Sequence, residues 1–156
     1  MTTAREHRIA DLKERIDRHE KNAKRDLVTA SNVRNEYHGT LPEVLREVEE
    51  EASHFEDLAE LHLREADILR AEVAELEGKA DRTTTVKCLA GLYFELSRLT
   101  GEISSKFAKY ASFCERIGYT EGKEEAAYES NRWDKKAATY RETADYYSDK
   151  LAALEA

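Results

Sequence analysis

One hundred and fifty-six residues suit one domain, and 37% charged side chains with a single proline suit long, solvated helices. No apolar run approaches the roughly 18 residues of a membrane span. The opening MTTAREHR lacks the apolar core of a signal peptide, which makes a cytoplasmic protein the expectation.

The first helix is expected over 3–38. Thr3 and Glu6 have capping-box spacing, and the apolar positions run Ile9, Leu12, Ile16, His19, Ala23, then drift through Leu27, Ala30, Val33 and Tyr37 as an unenforced 3.6-residue helix does. Gly39 offers a left-handed helix end and Thr40 a cap before Pro42, which is tolerated in a first turn. The second helix, expected over 41–77, carries the clearest ladder: Leu45, Val48, Ala52, Phe55, Ala59, His62, Ala66, Leu69, Val73, Leu76. Alternating spacings of three and four mark one face of a long helix.

Gly78 closes that helix, and Thr83, Thr84 or Thr85 can cap the third, expected over 84–117, whose ladder runs from Val86 and Leu89 to Cys114 and Ile117. Gly118 and Thr120 separate it from the fourth, expected over 121–155, with Ala126, Ser130, Trp133, Ala137, Tyr140 and Ala144 on its seam. Joints this short fold neighbouring helices back antiparallel. The expected fold is therefore all-α: a single elongated, antiparallel, up-down-up-down four-helix bundle over 1–156 with coiled-coil-like heptad seams. Two hairpins that open or swap between chains are the rival architecture. Cys88 and Cys114 lie about 39 Å apart by helical rise on one helix, so they cannot bridge each other and are expected to be reduced, semi-buried packing residues.

Charge is uneven. Residues 41–82 carry fourteen acids against five bases, with Glu47, Glu50, Glu51 and Asp57 in the densest stretch, which suggests a docking surface for a basic partner beside the plainer reading of a solvated face. The bases of the first helix are interleaved with acids as intrahelical ion pairs, so direct nucleic-acid binding is not expected. The third helix has surplus apolar surface. Leu92, Leu99 and Phe113 flank its seam on one side, Phe94 projects away from the ladder, and Ala90, Ser97, Ser104 and Ala111 form a uniformly small flank on the other. A partner or self-association surface rimmed by Phe94, Leu99 and Phe113 follows, unless bundle neighbours use the whole face.

Folding the ladders back on their turns places His19, His62, Thr100 and Tyr140 at nearly one height, a candidate polar core layer. Such a layer can fix register by internal hydrogen bonds, respond to pH, or hold a metal or small ligand. Glu51-Ala-Ser-His54 has the Glu-x-x-His spacing of the di-metal carboxylate proteins, but that chemistry needs about four inward carboxylates and two such motifs. All five histidines precede residue 63, and the three strict ladders carry no Asp or Glu; only Asp26 is placed to face inward, opposite Ser53 and His54. Phosphate-binding glycine loops, His-Glu-x-x-His and nucleophile elbows are absent from the sequence.

The expectation is a non-enzymatic interaction or assembly module without catalytic residues, metal or cofactor, whose interior is essentially free of ionised side chains. Its partner is another protein or a second copy of itself. The alternative is a ferritin-like, metal-binding oxidoreductase with its site completed across a dimer.

Overall fold

The computed structural model describes residues 2–156, which form four helices: α1 (Ala4–Glu36), α2 (Pro42–Leu76), α3 (Arg82–Arg116) and α4 (Thr120–Glu155). No strand occurs among the described residues, and each helix end lies within two residues of the position expected from the ladders. Long three-four apolar stripes interrupted only at glycine, proline and capping residues leave the backbone no other regular option. The chain divides into two compact units, one ending at Thr85 and the other spanning Val86–Ala156. The first holds the α1–α2 hairpin and the second the α3–α4 hairpin.

In the first hairpin Arg5 reaches the carbonyl of Leu76, Arg8 reaches Glu72 at 3.5 Å, His19 meets His62, and Arg34 binds Glu49, which fixes an antiparallel pairing along the full length. Leu12, Leu69 and Val73 are buried together, with Ile9, Ile16 and Leu76 packed around them. Further along, Ala23, Ala30, Ala52, Ala59 and Ala66 are all buried. Alanine at these seam positions lets two helices approach closely.

The ladder of α1 corrects the sequence reading. It does not drift to Leu27, which is 47% exposed, but continues with strict three-four spacing through Asp26, which is 6% exposed. The carboxylate is thereby carried into the seam, with Oδ2 3.8 Å from His62 Nε2.

The Thr3–Glu6 capping box forms, with the Glu6 amide donating to Thr3 Oγ1 at 3.1 Å and the Thr3 amide to Glu6 Oε2 at 3.0 Å. The first joint is built differently from expectation. Neither Gly39 nor Thr40 caps a helix: α1 ends in extended backbone at Tyr37, and α2 starts after Leu41 with Pro42 in its first turn. The Leu41 amide instead donates to the Tyr37 hydroxyl at 3.2 Å. Gly39 is needed for space, because a Cβ there would fall 2.3 Å from Tyr37 Oη.

Gly78 does take the left-handed conformation (φ 75°), and the Lys79 amide returns to the Ala74 carbonyl at 2.8 Å. Asp81, rather than any of the three threonines, caps α3, accepting the Thr84 amide at 2.7 Å. That bond, followed by one from the Thr84 hydroxyl, holds the Asp81 carboxyl below its usual range.

In the second hairpin the small flank of α3 meets α4. Ser97 Oγ donates to the Ala137 carbonyl at 3.1 Å. Ser104 Oγ donates to the Ser130 carbonyl at 2.8 Å while Ser130 Oγ donates to the Ser104 carbonyl at 3.0 Å. Reciprocal hydroxyl-to-backbone bonds of this kind require the helix backbones to be close, which only small side chains permit. Leu89, Leu96, Ile103, Cys114, Ala126, Trp133 and Ala144 are buried. Neither cysteine is in a disulfide, and Cys88 is exposed rather than semi-buried.

Candidate metal centre and interaction surfaces

Midway along the first hairpin, the α1 and α2 seams each place an imidazole at one level. His19 Nδ1 and His62 Nδ1 lie 3.0 Å apart, with ring centroids at 5.3 Å and planes tilted by 40°. One helical turn after His62, on the same face of α2, Glu65 turns Oε2 to within 3.2 Å of His19 Nδ1 and 4.0 Å of His62 Nδ1. Three donor atoms from two helices therefore converge, each on a side chain between 23% and 31% exposed. Behind them the buried Asp26 carboxylate faces the far side of His62, with Oδ2 3.8 Å from Nε2, and its other oxygen is 3.9 Å from Arg25.

The electrostatics favour a neutral imidazole at His19. Burial is the main cause of its lowered pKa; Glu65 opposes the shift, while His62, Arg15 and Arg18 add to it. Two Nδ1 atoms at hydrogen-bond distance share at most one proton, so one ring donates to the other and the Glu65 oxygen competes for the same N–H. The cluster is crowded with acceptors and short of protons, which is the condition in which imidazole and carboxylate ligate cations.

The interior of this hairpin is thus not free of ionisable groups, contrary to expectation. Asp26 was placed opposite Ser53 and His54 by counting residues; in the structure its carboxylate faces His62. Glu65 was missed entirely. The signal for it is the His62-x-x-Glu65 spacing on a helix whose His62 already meets a histidine from the neighbouring helix. Thr100 and Tyr140, the other two members of the expected polar layer, belong to the second hairpin. There the Thr100 hydroxyl donates to the Leu96 carbonyl at 2.7 Å, and the Tyr140 ring lies 6.1 Å from that of Tyr93. Glu51 is exposed and the His54 ring lies 6.0 Å from Phe55. Among the described residues, the group with metal-ligand geometry is His19, His62 and Glu65 and does not include the Glu51-x-x-His54 pair.

The expected interaction residues divide. Leu99 is buried, Leu92 is half-buried, and Phe94 is exposed but covered on one face by the Arg141 guanidinium at 5.0 Å. Phe113 is exposed, and so, contrary to expectation, are Tyr110 and Ile117, which the sequence placed on the apolar ladder of the third helix. Tyr110 and Phe113 near the end of α3 and Ile117 in the turn just after it follow one another at three-four spacing and are 36%, 37% and 59% exposed, with Tyr119 exposed just beyond. Lys106, Lys109 and Arg116 are exposed along the same stretch.

On α2, Glu47, Glu50 and Glu51 are exposed and Asp57 is half-buried. They accompany Leu41 and Leu45, which are 61% and 45% exposed. Part of the acidity of α2 is answered inside the hairpin, where Arg34 binds Glu49 at 2.7 Å and also reaches Glu56, and Arg46 binds Glu50 at 3.1 Å. The Arg34 contact holds the Glu49 carboxyl below its usual range. None of the described helices is long and apolar enough to cross a membrane. No protein-family model, curated protein or solved structure matches the chain significantly.

Proposed function

We propose that the chain is a non-enzymatic helical interaction module that self-associates, with the carboxy-terminal end of α3 in one copy receiving the amino-terminal end of α2 from another. The observation that carries this reading is the run of Tyr110, Phe113 and Ile117, large apolar side chains at three-four spacing from the last turns of α3 into the turn that follows, with over a third of each left in water. Scattered exposed apolar residues are ordinary on protein surfaces, but a contiguous stripe rimmed by charge is the mark of a docking face. Complete burial of a side chain of this size is worth about 1.5–3 kcal/mol, and between a third and somewhat over half of that remains to be gained at each of the three.

Charge selects the occupant. The α3 stripe is accompanied by Lys106, Lys109 and Arg116, whereas Leu41 just before α2 and Leu45 in its first turn are accompanied by Glu43, Glu47, Glu50 and Glu51. An acidic amphipathic helix is the complement of a basic amphipathic one, and each copy carries both. A head-to-tail contact of this kind yields a ring, a reciprocal dimer or an open chain of copies, depending on whether the rotation closes.

Light scattering over a concentration series tests the reading. The wild-type chain should gain mass with concentration, and Phe113→Glu with Ile117→Glu should hold it at monomer mass with unchanged helicity. A wild-type chain that stays monomeric throughout, or a double variant that associates as the wild type does, would refute it.

A further inference from the structure

The geometry points to a divalent transition-metal site in the first hairpin, formed by His19 Nδ1, His62 Nδ1 and the Glu65 carboxylate, with Asp26 as the positioning group behind His62. The site is independent of the self-association proposed above, because every residue in it belongs to α1 or α2 of one chain.

Three observations carry it. The first is distance. At metal–ligand bonds of about 2.0–2.2 Å, the donors of a tetrahedral zinc-type ion lie about 3.3 Å from one another. The three separations here are 3.0, 3.2 and 4.0 Å, so a slight opening of the imidazole pair together with a movement of about half an ångström of the flexible Glu65 carboxylate toward His62 brings all three donors onto such an ion.

The second is the support behind the ligand. A histidine that ligates through Nδ1 carries its proton on Nε2, and metal-ligating histidines almost always direct that N–H to a carboxylate or carbonyl. His62 Nε2 faces Asp26 Oδ2 at 3.8 Å, and Asp26 is 6% exposed on its seam between the buried Ala23 and Ala30. A buried carboxylate in such surroundings is costly unless a positive charge is nearby. Arg25 stands 3.9 Å from one carboxylate oxygen, and a cation on the opposite edge of His62 adds to it at the other oxygen, through an imidazole that becomes a better N–H donor when metallated.

The third is chemistry. Two imidazoles and one carboxylate form a borderline nitrogen–oxygen set, which suits zinc, cobalt, iron or nickel in the divalent state better than calcium or magnesium, which prefer oxygen alone. Three protein ligands, each about a quarter exposed, leave the remaining coordination open to water.

Zinc and cobalt are the probes. Protein stripped with chelator and dialysed should bind one Zn2+ per chain in calorimetric titration, and Co2+ should develop the visible bands of a low-coordinate nitrogen–oxygen site. In the unmodified chain, Zn2+ should shift the imidazole proton resonances of two of the five histidines and leave the rest in place. His19→Ala and His62→Ala should each abolish stoichiometric binding, whereas His38→Ala should not alter it.

Asp26→Asn separates positioning from folding: it should keep the one-to-one stoichiometry and weaken affinity roughly 10-fold to 100-fold. No stoichiometric uptake by the wild-type chain, uptake that survives both histidine substitutions, or shifts at all five histidines or at none would overturn the assignment.

Discussion

The close approach of α3 and α4 at Ser104 and Ser130 can be tested by filling it. Ser104 is 7% exposed, its hydroxyl donates to the Ser130 carbonyl at 2.8 Å, and the two hydroxyl oxygens are 3.2 Å apart. Ser104→Leu removes a hydrogen bond worth about 1 kcal/mol. It also forces two extra heavy atoms into a packed contact, which costs about 1–3 kcal/mol. The predicted loss is therefore about 2–4 kcal/mol, against about 1 kcal/mol for Ser104→Ala.

The only tryptophan, Trp133, is buried on α4 in the same hairpin, so urea unfolding followed by its fluorescence reads the right element. The midpoint should fall in the order wild type, Ser104→Ala, Ser104→Leu, with the slope unchanged. A Ser104→Leu midpoint equal to that of the wild type would mean that the two backbones are not held close by small residues, and the account of this hairpin would fail.

Leu12→Ala deletes a side chain that is 0% exposed and packed on Leu69 and Val73; it should cost about 3 kcal/mol, visible as a lower urea midpoint by circular dichroism. Asp81→Ala removes the cap of α3. Because the folded-state carboxyl is held below its ordinary 3.8, its contribution is complete above that pH and is lost as pH falls through the folded value. The melting-temperature gap between wild type and variant should therefore be present at neutral pH and close in strong acid, whereas a gap constant with pH would contradict the cap. Gly78→Ala places a side chain at φ 75° and should lower stability by about 1 kcal/mol, unlike Gly91→Ala on α3, where the added Cβ meets nothing within 4 Å.

The helices were legible because apolar periodicity, capping residues and turn glycines agreed at every joint, and such agreement across levels is what makes a sequence specify its structure. The errors have specific causes. Leu27 was favoured over Asp26 for the α1 seam because apolar residues are usually the buried ones, yet the seven-residue repeat continues through Asp26, which faces His62. Glu65 was not singled out, since nothing in a single helix distinguishes a carboxylate beside a cross-helix histidine pair from one in water.

At the first joint, α2 has no side-chain cap, and the Tyr37 hydroxyl instead accepts the Leu41 amide, a contact that depends on chain path rather than residue type. On α3, Leu99 and Phe113 look alike in sequence, but Leu99 is 5% exposed and Phe113 37%. Helical phase alone gives a residue's direction and leaves open whether anything covers it.

The most direct measurement of the proposed function is a charge exchange between two variants. One carries Glu47→Lys, Glu50→Lys and Glu51→Lys on α2; the other carries Lys106→Glu, Lys109→Glu and Arg116→Glu on α3. Within either variant alone, the two docking faces bear the same sign and repel. In a mixture, the basic α2 face of the first meets the acidic α3 face of the second, and the unaltered pair remains complementary. Sedimentation velocity should therefore find each variant monomeric and their equimolar mixture as large as the wild-type assembly. A mixture that stays monomeric while the wild type associates, or either variant associating alone, would contradict the account.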